Sequence, residues 1–120
     1  MTHRQRTGKI GEDQAARHLQ TLGYRILAQN WRCAAGEADI VALHQNELVI
    51  IEVRTRRGAE AASLALESIT PAKQARLINI AQLYAAHTKE IVEGMRIDIV
   101  TVAINGQQIK IEVYENAVSE

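Results

Sequence analysis

ADIVALHQNELVIIEVR, residues 38–54, holds two β-branched runs, Ala38 to Leu43 and Leu48 to Arg54, around the polar stretch His44 to Glu47. Two such runs with a short polar break between them spell a β-hairpin. Setting Leu43 opposite Leu48 puts Asp39 directly across from Glu52. Opposed residues on one face of a sheet hold their Cβ atoms about 4.5–5.5 Å apart, so two carboxylates there repel unless something neutralises them. A divalent cation is the natural neutraliser. Side chains alternate along a strand, so Arg54 points to the same side as Glu52, one pleat further on.

Outward from the hairpin the remaining elements follow. Between Lys9 and Leu22 the apolar residues Ala15, Ala16, Leu19 and Leu22 recur at helical spacing, and Gly23 follows where a left-handed C-cap falls. Tyr24 to Trp31 reads as a strand and Cys33 to Gly36 as a loop. Thr55 to Ser68 begins polar and turns Ala- and Leu-rich, which fits either a loop or a short helix. Thr70-Pro71 reads as an N-cap with proline in the first helical position, and Leu77, Ile80, Ala81 and Tyr84 carry an apolar face to about Ala86. Met95 to Ile104 and Ile109 to Tyr114 are strands joined across Asn105-Gly106, a strong hairpin signal. The order is αβββαββ, an α/β domain with a central mixed five-stranded sheet flanked by helices.

A chain of 120 residues fits one domain, 1–120, with 1–8 read as a frayed terminus. Its single cysteine, Cys33, excludes an intrachain disulfide and a zinc cluster built on cysteines. The four histidines show no paired ligand spacing. No stretch approaches the ~20 apolar residues of a membrane span, and a cytoplasmic protein without membrane contact is expected. The formal net charge of zero speaks against a surface that grips nucleic acid everywhere. Basic residues nevertheless gather at Arg4, Arg6 and Lys9 and again at Arg54, Arg56 and Arg57.

Two helical charges sit where apolar residues belong. Glu12 shares a stripe with Ala15, Ala16 and Leu19, and a charge facing a core needs a partner. Lys73 aligns with Leu77, Ile80 and Tyr84, yet it stands in a first turn, where the helix dipole disfavours a cation. Both stripes end near the acidic sheet edge. Carboxylates from Glu12, Asp39 and Glu52 suit a hard ion such as Mg²⁺ or Mn²⁺. Such an ion polarises a phosphodiester and helps generate a hydroxide nucleophile.

GKIGEDQAARHL (8–19), GYRILAQNWR (23–32), GEADIVA (36–42), IEVRTR (51–56), TPAKQARL (70–77) and RIDIV (96–100) together resemble the YraN-like family of bacterial proteins. That family is itself similar to archaeal Holliday-junction resolvases of the PD-(D/E)xK restriction-endonuclease-like superfamily. The resemblance implies a restriction-endonuclease-like fold and a metal-dependent endonuclease acting on DNA, including branched or junction structures, with a homodimer by analogy. It assigns metal ligation to Glu12, Asp39 and Glu52 and catalysis to Asp39, Glu52 and Arg54. Arg54 stands where the E-x-K motif has lysine. Arginine keeps its charge and offers a donor fork, so it can clamp a phosphate but cannot act as a base. Nucleic-acid contacts are expected from Arg54, Arg56, Arg57 and Lys73.

Each reading has a plainer counterpart. Asp39 and Glu52 could pair with Arg54 or Arg56 on a surface hairpin. Glu12 could be a helix N-terminal acid favoured by the dipole, and Lys73 could snorkel to water. Glu37 and Asp98 read as solvated or salt-bridged. Trp31 and Tyr84 read as packing residues. At the level of function, the counterpart is a nucleic-acid-binding module that keeps the nuclease fold without cleaving.

Overall fold

The computed structural model describes residues 2–59 and 69–118. Its elements are α1 (His3–Thr21), β1 (Arg25–Cys33), β2 (Gly36–His44), β3 (Glu47–Arg57), α2 (Pro71–His87), β4 (Gly94–Asn105) and β5 (Gln108–Tyr114). The five strands form one sheet in the order β1-β2-β3-β4-β5, antiparallel throughout except for the parallel pair β3–β4. A parallel pair requires a crossover, and the crossover carries α2. Element order and sheet match the αβββαββ expectation.

β3 is central, and its run from Leu48 to Val53 is buried on both faces. Val49, Ile51 and Val53 face a core with Ala15, Ala16 and Leu19 of α1. Leu48 and Ile50 face a second core with Leu77, Ile80, Ala81 and Tyr84 of α2. Helix α1 seats tightly on β3, because a Cβ at Gly11 would overlap the Thr55 hydroxyl. Trp31 packs edge-on against Tyr84 at 4.8 Å between ring centroids, as a packing residue should.

Several boundaries differ from the sequence reading. Helix α1 begins at His3 rather than near Lys9, because Thr2 and Gln5 close a capping box. Residues 3 to 8, expected as a frayed terminus, therefore form its opening turns. At its other end Tyr24 N–H donates to Leu19 O and Gly23 N–H to Gln20 O, with Gly23 at φ +91°, a Schellman cap. The β1–β2 connection is a tight turn at Ala34-Ala35, with Cys33 and Gly36 paired. The β2–β3 turn is Gln45-Asn46, both with positive φ, which suits the twist of a two-residue hairpin. In the last hairpin Asn105 pairs with Gln108, so the turn centres on Gly106-Gln107, one residue beyond the expected Asn105-Gly106. β3 continues through Arg57, and residues 60–68 of the undecided stretch lie outside the described residues.

On the α1 face, toward the start of β3 and β4, lies a buried polar network. Arg96 donates to both oxygens of Asp98 (2.9 and 3.0 Å), to the Tyr24 hydroxyl (3.1 Å) and to Glu47 Oε1 (3.2 Å), and it meets His44 Nδ1 at 2.7 Å. The Tyr24 hydroxyl donates to Asp98 Oδ2 (2.6 Å), and Asn116 N–H donates to Asp98 Oδ1 (2.9 Å). Tyr24 and His44 stack at 3.9 Å. Asp98 is fully buried and every one of these groups has a partner, so it belongs to the scaffold. The salt-bridged reading of Asp98 holds.

Candidate active site

β2 and β3 pair only from Ile40↔Ile51 to His44↔Glu47. Beyond Ile40, β2 stays with β1, while residues 52–57 of β3 stay with β4. The sheet forks, and Asp39 and Glu52 stand at the apex. The register gives the Leu43↔Leu48 pairing expected from the sequence, and Asp39 replaces the next rung by accepting the Val53 N–H on Oδ2 (2.8 Å). On the β1 side the register steps from Gln29↔Ile40 to Trp31↔Ala38, passing over Asn30 and Asp39.

The Asp39 carboxyl stands within interaction range of Glu52. Burial first, and then Glu52, push the Asp39 carboxyl up to about 8. Glu52 is only 7% exposed, and its other neighbour is the Arg54 guanidinium, with Nη1 3.8 Å from Oε2. Glu52 lies under α2, because the even-numbered residues of β3 face that helix. Asp39 and Glu52 do not form a solvated surface pair.

Glu12 reaches the fork from the other helix. It sits well inside α1, so the dipole of a first turn does not account for it. Burial, followed by the nearby Asp39, raises its carboxyl to about 7. Asn30 was not read as a site residue from the sequence. With its amide nitrogen toward the acids it donates to Glu12 Oε2 (3.2 Å) and Glu37 Oε1 (3.0 Å). Its φ of +53° inside a strand is a left-handed conformation that asparagine tolerates better than most residues. A signal was available: pairing Cys33 with Gly36 across the Ala34-Ala35 turn puts Asn30 opposite Asp39.

A cavity of about 500 Å³ opens between α1 and the end of β3, lined by Thr7, Gly8, Glu12 and residues 53–57. Arg57 crosses it to donate to Thr7 Oγ1 (2.8 Å), and Arg56 donates to Thr55 O (2.8 Å). From the other face Lys73, half-buried, lies within electrostatic range of Glu52, Arg54, Arg56 and Arg76. Burial and then Arg54 lower its ammonium pKa below the usual lysine value. Arg6 and Lys9 are exposed, and Lys9 pairs with Asp13 at 3.8 Å. Among the described residues no group of three or more His, Cys, Asp or Glu side chains is arranged to hold a metal ion. Asp39 lies within interaction range of both Glu52 and Glu12.

The fold and fork define a single-sheet α/β domain with a crowded acid pair and an adjoining cationic wall. A family model described as uncharacterised protein family UPF0102 matches residues 11–102, and the chain belongs to that family. Similar relatives include a UPF0102 protein of Roseiflexus castenholzii, 48% identical over 98% of this chain and 96% of its own length. Others come from Chloroflexus aurantiacus (42% identical, 90% of this chain and 88% of the relative) and Acidothermus cellulolyticus (46%, 82% of each). Among the described residues no helix is long and apolar enough to cross a membrane.

Proposed function

We propose that the fork is a divalent-cation-dependent phosphodiester-cleaving site acting on nucleic acid, with DNA, including branched DNA, as the substrate the sequence resemblance suggests. The observation that carries this reading is the Asp39–Glu52 pair, two acids brought together at the apex of the fork, where burial and Glu52 raise the Asp39 carboxyl. Like charges brought together at a cleft mark functional sites more often than structural ones. The donor set fits a hard ion: Mg²⁺ takes one or two protein carboxylates and fills its remaining positions with water and phosphate oxygens. Asp39 and Glu52 would hold it, with Glu12 reached through water. When bound, the ion would polarise the phosphodiester.

The chain's own residues supply the rest. Arg54, fixed beside Glu52, offers a donor fork to a phosphate oxygen and stabilises charge that develops there. Arg56, Arg57, Lys73 and Arg76 flank the fork with positive charge that attracts a phosphate backbone. A second reading is favoured by one residue: Arg54 cannot take up a proton, so a site relying on it alone would bind nucleic acid without turnover.

One assay separates the two. Purified protein and an Asp39→Ala variant are incubated with four-way junctions, duplex and single-stranded DNA and RNA in Mg²⁺, Mn²⁺ or EDTA. Cleavage by the wild type alone, abolished by EDTA, is the expected result. Equal behaviour of the two proteins on every substrate would sink the nuclease reading.

A further inference from the structure

We propose that β5 is a self-association edge, pairing antiparallel with β5 of a second copy of this chain about a two-fold axis at Ile111 and joining two sheets into one. The inference rests on the edge itself and stands apart from the nuclease reading. The sheet has two outer strands, β1 and β5, and they are built differently. β1 slips register between Ile26 and Ala28 and again around Asn30, whose φ is +53°, and such bulges twist an edge away from further pairing. β5 runs from Gln108 to Tyr114 without proline or register shift. After Tyr114 the chain stays beside β4, with Ala117 N–H donating to Ile97 O, so among the described residues no strand covers the outer side of β5.

That outer side carries a self-complementary pattern. Asn105 and Gln108 close a two-residue turn and exchange backbone bonds, and the alternation of an antiparallel ladder then turns the N–H and C=O of Gln108, Lys110, Glu112 and Tyr114 toward β4. Those of Ile109, Ile111 and Val113 point outward, available to another strand. The side chains of the same three residues form a row on the α1 face, where Ile111 and Val113 are partly buried against the core and Ile109 is 42% exposed. With the axis at Ile111, that residue meets its own copy and Ile109 meets Val113 of the second copy, so the outward backbone groups bond and the apolar row continues across the axis. On the opposite face Lys110 falls across from Glu112 of the second copy. This is a non-hydrogen-bonded pair, in which the Cα atoms approach to about 4.5 Å and side chains come closest. Edge lysines usually ward off a neighbouring strand. Here Lys110 already has Glu112 at 3.4 Å on its own strand, so the edge presents one exposed charge of each sign, a pattern that its own antiparallel copy matches.

The test is oligomeric state by sedimentation equilibrium. Two strands of this length make a small interface, under the roughly 1,200 Å² of the standard class, so wild type should dimerise with a Kd of about 1 to 100 µM. Lys110→Glu and Glu112→Lys each set like charges opposite one another at both symmetry-related positions and should weaken association about tenfold or more, with thermal melting as the folding check. An equimolar mixture of these two variants brings opposite charges face to face and should associate within about threefold of wild type, as should the double swap Lys110→Glu, Glu112→Lys. Ile111→Pro removes the outward N–H at the axis without touching the β4 ladder and should abolish the dimer. A wild type that stays monomeric at about 500 µM overturns the proposal, and it is the result expected if the edge instead takes a strand from a different protein. A dimer that both charge reversals leave unchanged puts the contact elsewhere and overturns it as well. So do folded single variants that fail to associate on mixing.

Discussion

Two clusters of buried charge lie in the same sheet, and they are resolved in opposite ways. Around Asp98, one carboxylate receives two bonds from Arg96, one from Tyr24 and one from a backbone amide, and it sits beside no second buried acid. At the fork, Asp39 and Glu52 stand together, with Glu12 close by and the Arg54 guanidinium 3.8 Å from Glu52. The first arrangement is complete without a ligand. The second sets acids beside one another, an arrangement that the proposed cation would relieve. Buried charge by itself therefore says little about function; what separates scaffold from site is whether the protein satisfies the charge it buries.

The sharpest way to break that contrast is to remove one partner from each cluster. Arg96→Ala leaves Asp98 buried and unpaired and should cost about 3–5 kcal/mol, enough to threaten folding. Replacing Arg96 and Asp98 together with Met and Leu should recover most of that loss. Chemical denaturation of the single and double variants measures both. A small penalty for Arg96→Ala would mean that the network is not the scaffold element described here.

At the fork the sign reverses. Asp39→Asn removes a like charge and should leave the protein as stable or raise its stability by up to about 1 kcal/mol near pH 8. Its pH dependence follows from the raised carboxyl. The folded protein holds its Asp39 proton up to about pH 8, whereas the unfolded chain releases it near the ordinary aspartate value of 3.8. The folded state thus binds more protons within that window, so stability falls as pH rises through it. The variant should lose this slope. Denaturation midpoints from pH 4 to pH 9 check it, and parallel slopes for wild type and variant would contradict it.

The smallest effect belongs to Asn30→Gly. Glycine accepts a φ of +53° without strain, so stability should change by no more than about 0.5 kcal/mol. The Asn30 hydrogen bond holds the Glu12 carboxyl down against burial and Asp39, and without it that carboxyl should titrate still higher than about 7. An NMR titration of the Glu12 side chain reads this directly.

Much of the acid pair was legible in the sequence, because the pairing of Leu43 with Leu48 and the alternation of side chains are local rules that fix Asp39 opposite Glu52. The fork itself was not, since nothing between residues 38 and 54 shows that β2 follows β1 while β3 follows β4. The Asp98 network was invisible for a related reason: Tyr24, His44 and Arg96 are far apart in the chain and meet only after the sheet is assembled. Asn30 was missed because a left-handed residue inside a strand runs against strand propensity. The helix caps show the reverse. Thr70-Pro71 and Gly23 announced their roles through backbone chemistry alone, whereas the capping box of Thr2 and Gln5 was overlooked in a terminus that looked merely polar.

The claim that the fork is a cation site, and the Asp98 network is not, is tested most directly by titrating the protein with Mn²⁺ calorimetrically at pH 7.5 in two buffers of different ionisation enthalpy. Binding of an ion to Asp39 and Glu52 should expel the proton that the raised Asp39 carboxyl holds at this pH, so the two buffers should report release of about one proton per ion. An Asp39→Asn, Glu52→Gln variant should neither bind nor release. The account is contradicted if the wild type binds no ion, or if the double variant binds it as well as the wild type does.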